Sequence, residues 1–105
     1  MDPMFTYSVN AKFERPELAK EWVDWLQRGH LQAVIDAGAR EAMLVQLGPL
    51  EFEARYRFTD EAAFRAYEAG PAVPLRAEGV AKFPPSRGVV MTRSLGPVLD
   101  EIKTR

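Results

Sequence analysis

From residue 5 to residue 13, hydrophobic and polar positions alternate. Phe5, Tyr7, Val9, Ala11 and Phe13 fall on one face, and Thr6, Ser8, Asn10 and Lys12 on the other. Side chains of a strand point to opposite faces in turn, so this pattern predicts a strand buried on one side. The period then changes. Pro16 suits a first helical position, where its missing N–H has no partner to lose. Leu18, Trp22, Trp25 and Leu26 recur at helical spacing. Gly29 interrupts that stripe, His30 follows, Leu31, Val34 and Ile35 restore it, and Gly38 is a natural stop. The prediction is one long helix, or two short ones broken near Gly29.

Alternation returns over 40–47 and, most cleanly, over 50–58. There Phe52, Ala54, Tyr56 and Phe58 oppose Glu51, Glu53, Arg55 and Arg57. With only Gly48-Pro49 as a break, the two runs read as an antiparallel hairpin. Thr59 or Asp60 can cap a helix whose buried side holds Phe64 and Tyr67. Gly70-Pro71 ends it; Leu75, Gly79 and Phe83 share one face of the next helix, which Pro84-Pro85 stops. A last strand is expected over 88–95, broken by Gly96-Pro97, with a tail that forms a short turn or frays. Strand, helix, strand, strand, helix, strand is the ferredoxin-like split pattern. It predicts an α+β fold, βαββαβ, with an antiparallel sheet and helices on one face. A single domain over 1–105 is expected, with its core in 4–96 and a C-terminal tail over 97–105.

The helices then cover the face of Phe5, Tyr7, Phe52, Tyr56 and Phe58. The other face is expected to carry Ser8, Asn10, Ala42, Leu44, Arg55, Arg57 and Val90. A half-apolar sheet face is a site for association. It predicts a homodimer closing through the open sheet face, with a partly polar cavity between sheet and helices or between subunits. A shift of one residue in any strand would reverse its faces.

Composition narrows the chemistry. The net charge is −1, and there are no cysteines and one histidine. This excludes a disulfide scaffold, a zinc finger and a thiol nucleophile, and argues against nucleic-acid or polybasic membrane partners. An RNA-binding module of the same topology would stack bases on strand aromatics, but Phe52, Tyr56 and Phe58 alternate with charge as a core face does, and the strand lacks that module's glycines. No apolar run approaches the ~18 residues of a membrane helix, and the first residues lack the basic and apolar regions of a signal peptide; a cytoplasmic location is expected. Glycine-rich phosphate loops, the G-x-S-x-G nucleophile motif and the H-E-x-x-H metal motif are all missing, so no cofactor is expected. No metal is expected either, since ligands would have to be carboxylates gathered from afar.

Three segments carry a resemblance: Tyr7-Ser8-Val9-Asn10; Glu21-Trp22-x-x-Trp25-Leu26 with His30-Leu31-x-x-Val34-Ile35-x-x-Gly38; and Leu75-Arg76-x-Glu78-Gly79-x-x-Lys82-Phe83. Together they resemble an uncharacterised family of small bacterial proteins in the dimeric α/β-barrel superfamily, related by fold to antibiotic-biosynthesis monooxygenases. The chain departs from that family at Gln32, where proline is common. The resemblance implies a fold and a dimer, and no reaction.

His30 is the best catalytic candidate, because its unperturbed pKa lies near neutrality. It could serve as a general base or a ligand anchor at the mouth of a pocket; the alternative is a helix-break histidine bonded to a carbonyl. Trp22 and Trp25 lie on the apolar stripe as core residues, and a buried indole N–H needs a partner, so one of them is expected at a pocket edge. Asn10 is disfavoured in mid-strand and could bond a ligand or the partner subunit. Arg55 is a candidate anion contact, with cross-strand pairing to the neighbouring glutamates as its alternative. The expected function is binding of a small organic molecule, with Asn10, Trp22, Trp25, His30 and Arg55 as contacts. The alternatives are a cofactor-independent, monooxygenase-like enzyme acting on an apolar substrate, and a structural or interaction module with a filled interior.

Overall fold

The computed structural model describes residues 2–104. Four strands, β1 (Phe5–Phe13), β2 (Glu41–Gly48), β3 (Glu51–Phe58) and β4 (Val89–Pro97), form one antiparallel sheet in the order β2-β3-β1-β4. Four helices, α1 (Pro16–Trp25), α2 (Leu31–Asp36), α3 (Glu61–Ala69) and α4 (Ala72–Lys82), cover one face of it. This is the βαββαβ arrangement expected from the hydrophobic pattern.

Local chemistry sets the boundaries. Pro16 opens α1. The Asp60 side chain caps α3 by accepting from the Ala63 N–H at 2.8 Å, and Pro84-Pro85 closes α4, because proline can neither donate to nor fit a helix interior. Between α1 and α2 the chain kinks at Gly29, so that two helices meet there, the second of the two arrangements expected. It passes through a π-helical turn, Leu26–His30, with Gly29 off the helical conformation. One extra residue per turn is the usual form of such a bulge; here it carries His30 to the inner side of the helix pair.

The core lies between the sheet and the helices. Phe5, Tyr7, Ala11 and Phe13 of β1 and Ala54, Tyr56 and Phe58 of β3 are buried there with Leu18, Trp22, Leu26, Val34, Phe64 and Tyr67. Phe64 stands 5.2 Å from Phe5 and edge-on to Phe58 at 5.4 Å; Trp22 sits 5.6 Å from Phe13. These are favourable offset and edge geometries for aromatic pairs.

Two expectations are corrected. Ala42 and Leu44 do not lie on the open face. Pairing places them opposite Tyr56 and Ala54, so they pack against the core. Met43 and Val45 occupy the open face instead, opposite Arg55 and Glu53. Gly96-Pro97 does not end the last strand: Gly96 pairs with Thr6 and Pro97 with Phe5. A proline is tolerated there because β4 is an edge strand. Beyond it, the Val98 N–H bonds the Met4 carbonyl at 2.8 Å, and Glu101 reaches Arg57 at 2.7 Å. The tail therefore crosses from β4 toward β3. No helix among the described residues is long and apolar enough to cross a membrane.

Candidate functional site

A half-enclosed cavity of about 230 Å³ lies between the inner face of the sheet and the helices. Its floor is Tyr7 and Val9 of β1, Ala54 and Tyr56 of β3, and Met91 and Arg93 of β4. Trp22 and Trp25 of α1, Leu26 and His30 of the π turn and Val34 of α2 make one wall; Tyr67 of α3 and Leu75, Arg76, Gly79 and Val80 of α4 make the other. The lining is mostly apolar with a few polar groups, the usual composition of a small-molecule site. For scale, an apolar cavity of about 150 Å³ is enough to hold benzene.

The helices leave this space because of two features. Gly79 adds no side chain to the α4 wall, where a methyl group in its place would stand 3.4 Å from Cη2 of Trp25. Ala54 puts the smallest side chain of β3 between Phe52 and Tyr56, so the sheet floor is low at its middle.

His30 lies on the face of Trp25, ring centroids 4.0 Å apart and planes inclined by 22°. The Trp25 indole donates to Oε1 of Glu78 at 3.0 Å. Burial pulls the His30 pKa below the ordinary histidine value, and the Glu78 carboxylate acts in the opposite sense. Burial wins, so the imidazole is held neutral and able to accept a proton. Trp25, His30 and Leu75 also line a second, more open groove of about 250 Å³, with Arg28, Gly29, Ala33 and Glu78. They form a wall with one side to the cavity and the other to the outside.

Tyrosines line the floor and the α3 side. Tyr7 and Tyr56 stack at 5.8 Å, and Tyr67 lies 6.4 Å from Tyr7. All three are nearly buried, yet no buried polar side-chain atom among the described residues lacks a partner. The hydroxyls of Tyr56 and Tyr67, which bond no protein group among those residues, therefore reach the free space of the cavity. Burial raises the pKa of Tyr56 well above the ordinary phenol value and that of Tyr67 to about 12. Burial also raises Tyr7, against the opposing influence of Arg93 and Arg76. All three thus remain protonated donors at neutral pH. The Arg93 guanidinium sits 5.0 Å from the centre of the Tyr7 ring and pairs with Glu68 at 2.7 Å.

The five residues expected at a site do not converge. Trp22, Trp25 and His30 come together at the cavity wall. Asn10 and Arg55 lie on the opposite, open face of the sheet, where Asn10 donates to Glu51 at 2.9 Å and Arg55 pairs with Glu53. The sheet separates Asn10 from His30. Conversely, Tyr7, Tyr56, Tyr67, Arg76 and Arg93 line the cavity without having been expected there. One signal was present for Arg93: it falls between Met91 and Leu95 in the inward-facing parity of β4, a charge where the pattern calls for an apolar residue.

The chain matches no family model and no curated protein. Solved structures do match. A monooxygenase from the gene ActVA-Orf6 of Streptomyces coelicolor, in complex with nanaomycin D, superposes with a TM-score of 0.75 at 15% identity, covering 98% of this chain and 94% of that one. A dimeric ferredoxin-like protein from an uncultured marine organism gives 0.69 at 18% identity, over 96% and 100%. SnoaB, a cofactor-independent oxygenase from Streptomyces nogalater, gives 0.69 at 14% identity in its N63A mutant form, over 97% and 99%. The chain has the ferredoxin-like fold of these proteins. At such identities the likeness concerns fold, and the chemistry has to be argued from the cavity.

Proposed function

We propose that this chain binds a small, flat, largely apolar organic molecule in the cavity between helices and sheet, as a homodimer joined through the open sheet face. The observation that carries the reading is the cavity itself. It is half-enclosed, about 230 Å³, walled by two tryptophans and edged by the hydroxyls of Tyr56 and Tyr67, which bond no protein group among the described residues. A purely structural module would fill such a space with side chains, since protein interiors are close-packed. The dimer reading draws on exposed Met43 and Val90 at the two edges of the open face and on the dimeric ferredoxin-like protein among the structural neighbours.

The test is a thermal-shift and tryptophan-fluorescence screen against one- to three-ring aromatic compounds. A ligand of the cavity raises the Tm by mass action and alters emission from Trp22 and Trp25. Leu75→Trp, which fills the space from α4, should abolish both responses. A panel that leaves Tm and emission unchanged would count against the reading.

A second reading is favoured by His30, a desolvated neutral base in the cavity wall, together with the two oxygenases that share the fold. In it the bound molecule is an electron-rich phenol or hydroquinone. His30 removes its proton, and the resulting anion supplies electrons to dioxygen with no cofactor. Oxygen uptake with 1,4-dihydroxynaphthalene above the spontaneous rate, lost in His30→Gln, is the expected result. A rate equal to the spontaneous one would leave only the binding reading.

A further inference from the structure

We propose that the occupant of the cavity is an aromatic carboxylate, whose anionic group is held by Arg76 with the Tyr67 hydroxyl beside it. This rests on the ligand-binding reading above and gives it a chemical class.

Tyr7, Tyr67, Arg76 and Arg93 lie near one another at this end of the cavity, with the Tyr7 hydroxyl bonded to Arg93. Arg93 pairs with Glu68 at 2.7 Å. Glu68 also takes Arg65 at 3.2 Å, and Arg65 takes Glu61. The Glu68 carboxylate is therefore already shared between two arginines. Arg76 has no carboxylate within 4 Å among the described residues. Its one hydrogen bond there, from Nη2 to the Glu68 backbone carbonyl, is long at 3.4 Å. Arg76 is half-buried and lines the cavity, and its remaining donors have no protein acceptor among the described residues.

Tyr67 adds an independent observation. It is 5% exposed, its hydroxyl has no protein partner among the described residues, and it faces the same space. A guanidinium can only donate, and a protonated phenol has a hydroxyl hydrogen to give. The group that satisfies both is an acceptor, and a charged acceptor gains most: bonds from a guanidinium to a carboxylate are short, strong and often bidentate. Away from this corner the lining is apolar, with Val9, Leu26, Val34, Ala54 and Met91. Glu78 accepts from the Trp25 indole and lines the outer groove. A neutral ligand would leave the Arg76 cation unanswered next to low-dielectric walls, which is unfavourable. A flat acid places its ring between the tryptophan wall and the sheet floor and its carboxylate at Arg76.

The test compares two molecules of nearly the same shape, 2-naphthoate and 2-naphthamide, by titration of tryptophan fluorescence at pH 7.5. The wild-type protein is expected to bind the acid at least about tenfold more tightly than the amide, a difference of about 1.4 kcal/mol. Arg76→Gln should erase that preference without changing the affinity for the amide, and Arg76→Lys should keep part of it. Far-UV circular dichroism and Tm establish that the variants fold. Added salt should weaken binding of the acid alone. Equal affinities in the wild type, or a preference that survives Arg76→Gln, would overturn the inference and leave the cavity reading intact. If neither compound bound, the inference would fall together with the reading it rests on.

Discussion

His30 lies flat on Trp25, 4.0 Å between ring centroids, and Trp25 in turn is tied through its indole N–H to Glu78. Stacking places the imidazole out of water, which disfavours its charged form. Its pKa in the folded chain is thereby lowered below the ordinary value of 6.5. The unfolded chain then takes up a proton before the folded one does as pH falls. Stability from this group is complete above about pH 6.5 and is lost on acidification through the folded pKa. The shifted carboxylates Glu21, Asp24, Glu68 and Glu101 are all lowered from ordinary values of 4.5 or 3.8, so their contribution is lost only at more acid pH. The Tm of the wild type should fall between pH 7 and pH 5, and His30→Phe, which keeps a stacked ring and removes the titration, should flatten that fall. Equal slopes in thermal melts of the two proteins would contradict the assignment.

Glu78 opposes the effect of burial on His30. Glu78→Gln keeps an oxygen acceptor for the Trp25 indole and removes the negative charge. The His30 pKa should therefore drop further, while tryptophan emission stays unchanged. An NMR titration of the imidazole Cε1 proton reads the pKa directly. An upward shift would mean that the carboxylate does not stabilise the imidazolium.

The two halves of this site differed in how plainly the sequence announced them. β3 was clear because its two parities differ in chemistry: Phe52, Ala54, Tyr56 and Phe58 against four charged residues. β2 was not, because Ala42 and Leu44 are apolar and so are Met43, Val45 and Leu47. Alternation carries no information when both faces are apolar, and only the pairing of Leu44 with Ala54 decides which side is in. The Trp22, Trp25 and His30 wall was visible as a helical stripe with a histidine at its interruption. The tyrosines were hidden by the same pattern that found the strands. A tyrosine on a core-facing parity reads as packing, and whether its hydroxyl meets a protein acceptor or an open cavity depends on helices distant in sequence. Asn10 misled for a related reason: its unusual mid-strand place is explained by Glu51 and Glu53 across the strand.

Two glycines should respond in opposite ways to alanine. At Gly79 a methyl group would sit 3.4 Å from Trp25, an ordinary van der Waals contact, inside a helix where glycine is entropically unfavourable. Gly79→Ala is expected to stabilise the protein by about 0.5–1 kcal/mol, with the Tm rising. Gly88 has φ +98°, a conformation that side chains disfavour, and a methyl group there would press on the Glu14 carboxylate at 2.9 Å. The carboxylate can swing away but the backbone cannot, so Gly88→Ala should cost about 1–2 kcal/mol. Urea unfolding of both variants checks the pair. A destabilised Gly79→Ala would mean that Trp25 has no room to give and that the cavity wall is tighter than the distance implies.

The open sheet face combines a polar middle with apolar edges. Asn10, Glu51, Glu53 and Arg55 bond one another along its centre, whereas Met43 on β2 and Val90 on β4 are 57% and 64% exposed. Because the middle satisfies itself, the gain from covering this face comes from the edges, and a charge there should be felt more than one at the centre. Met43→Asp combined with Val90→Asp is expected to convert a dimer into a folded monomer, while Arg55→Ala leaves it a dimer. Light scattering after gel filtration gives the mass, and circular dichroism shows that the monomer keeps its sheet. The cavity lies wholly within one chain, on the other side of that sheet. The monomer should therefore still bind whatever quenches its tryptophans, and loss of binding on dissociation would mean that the partner subunit completes the site.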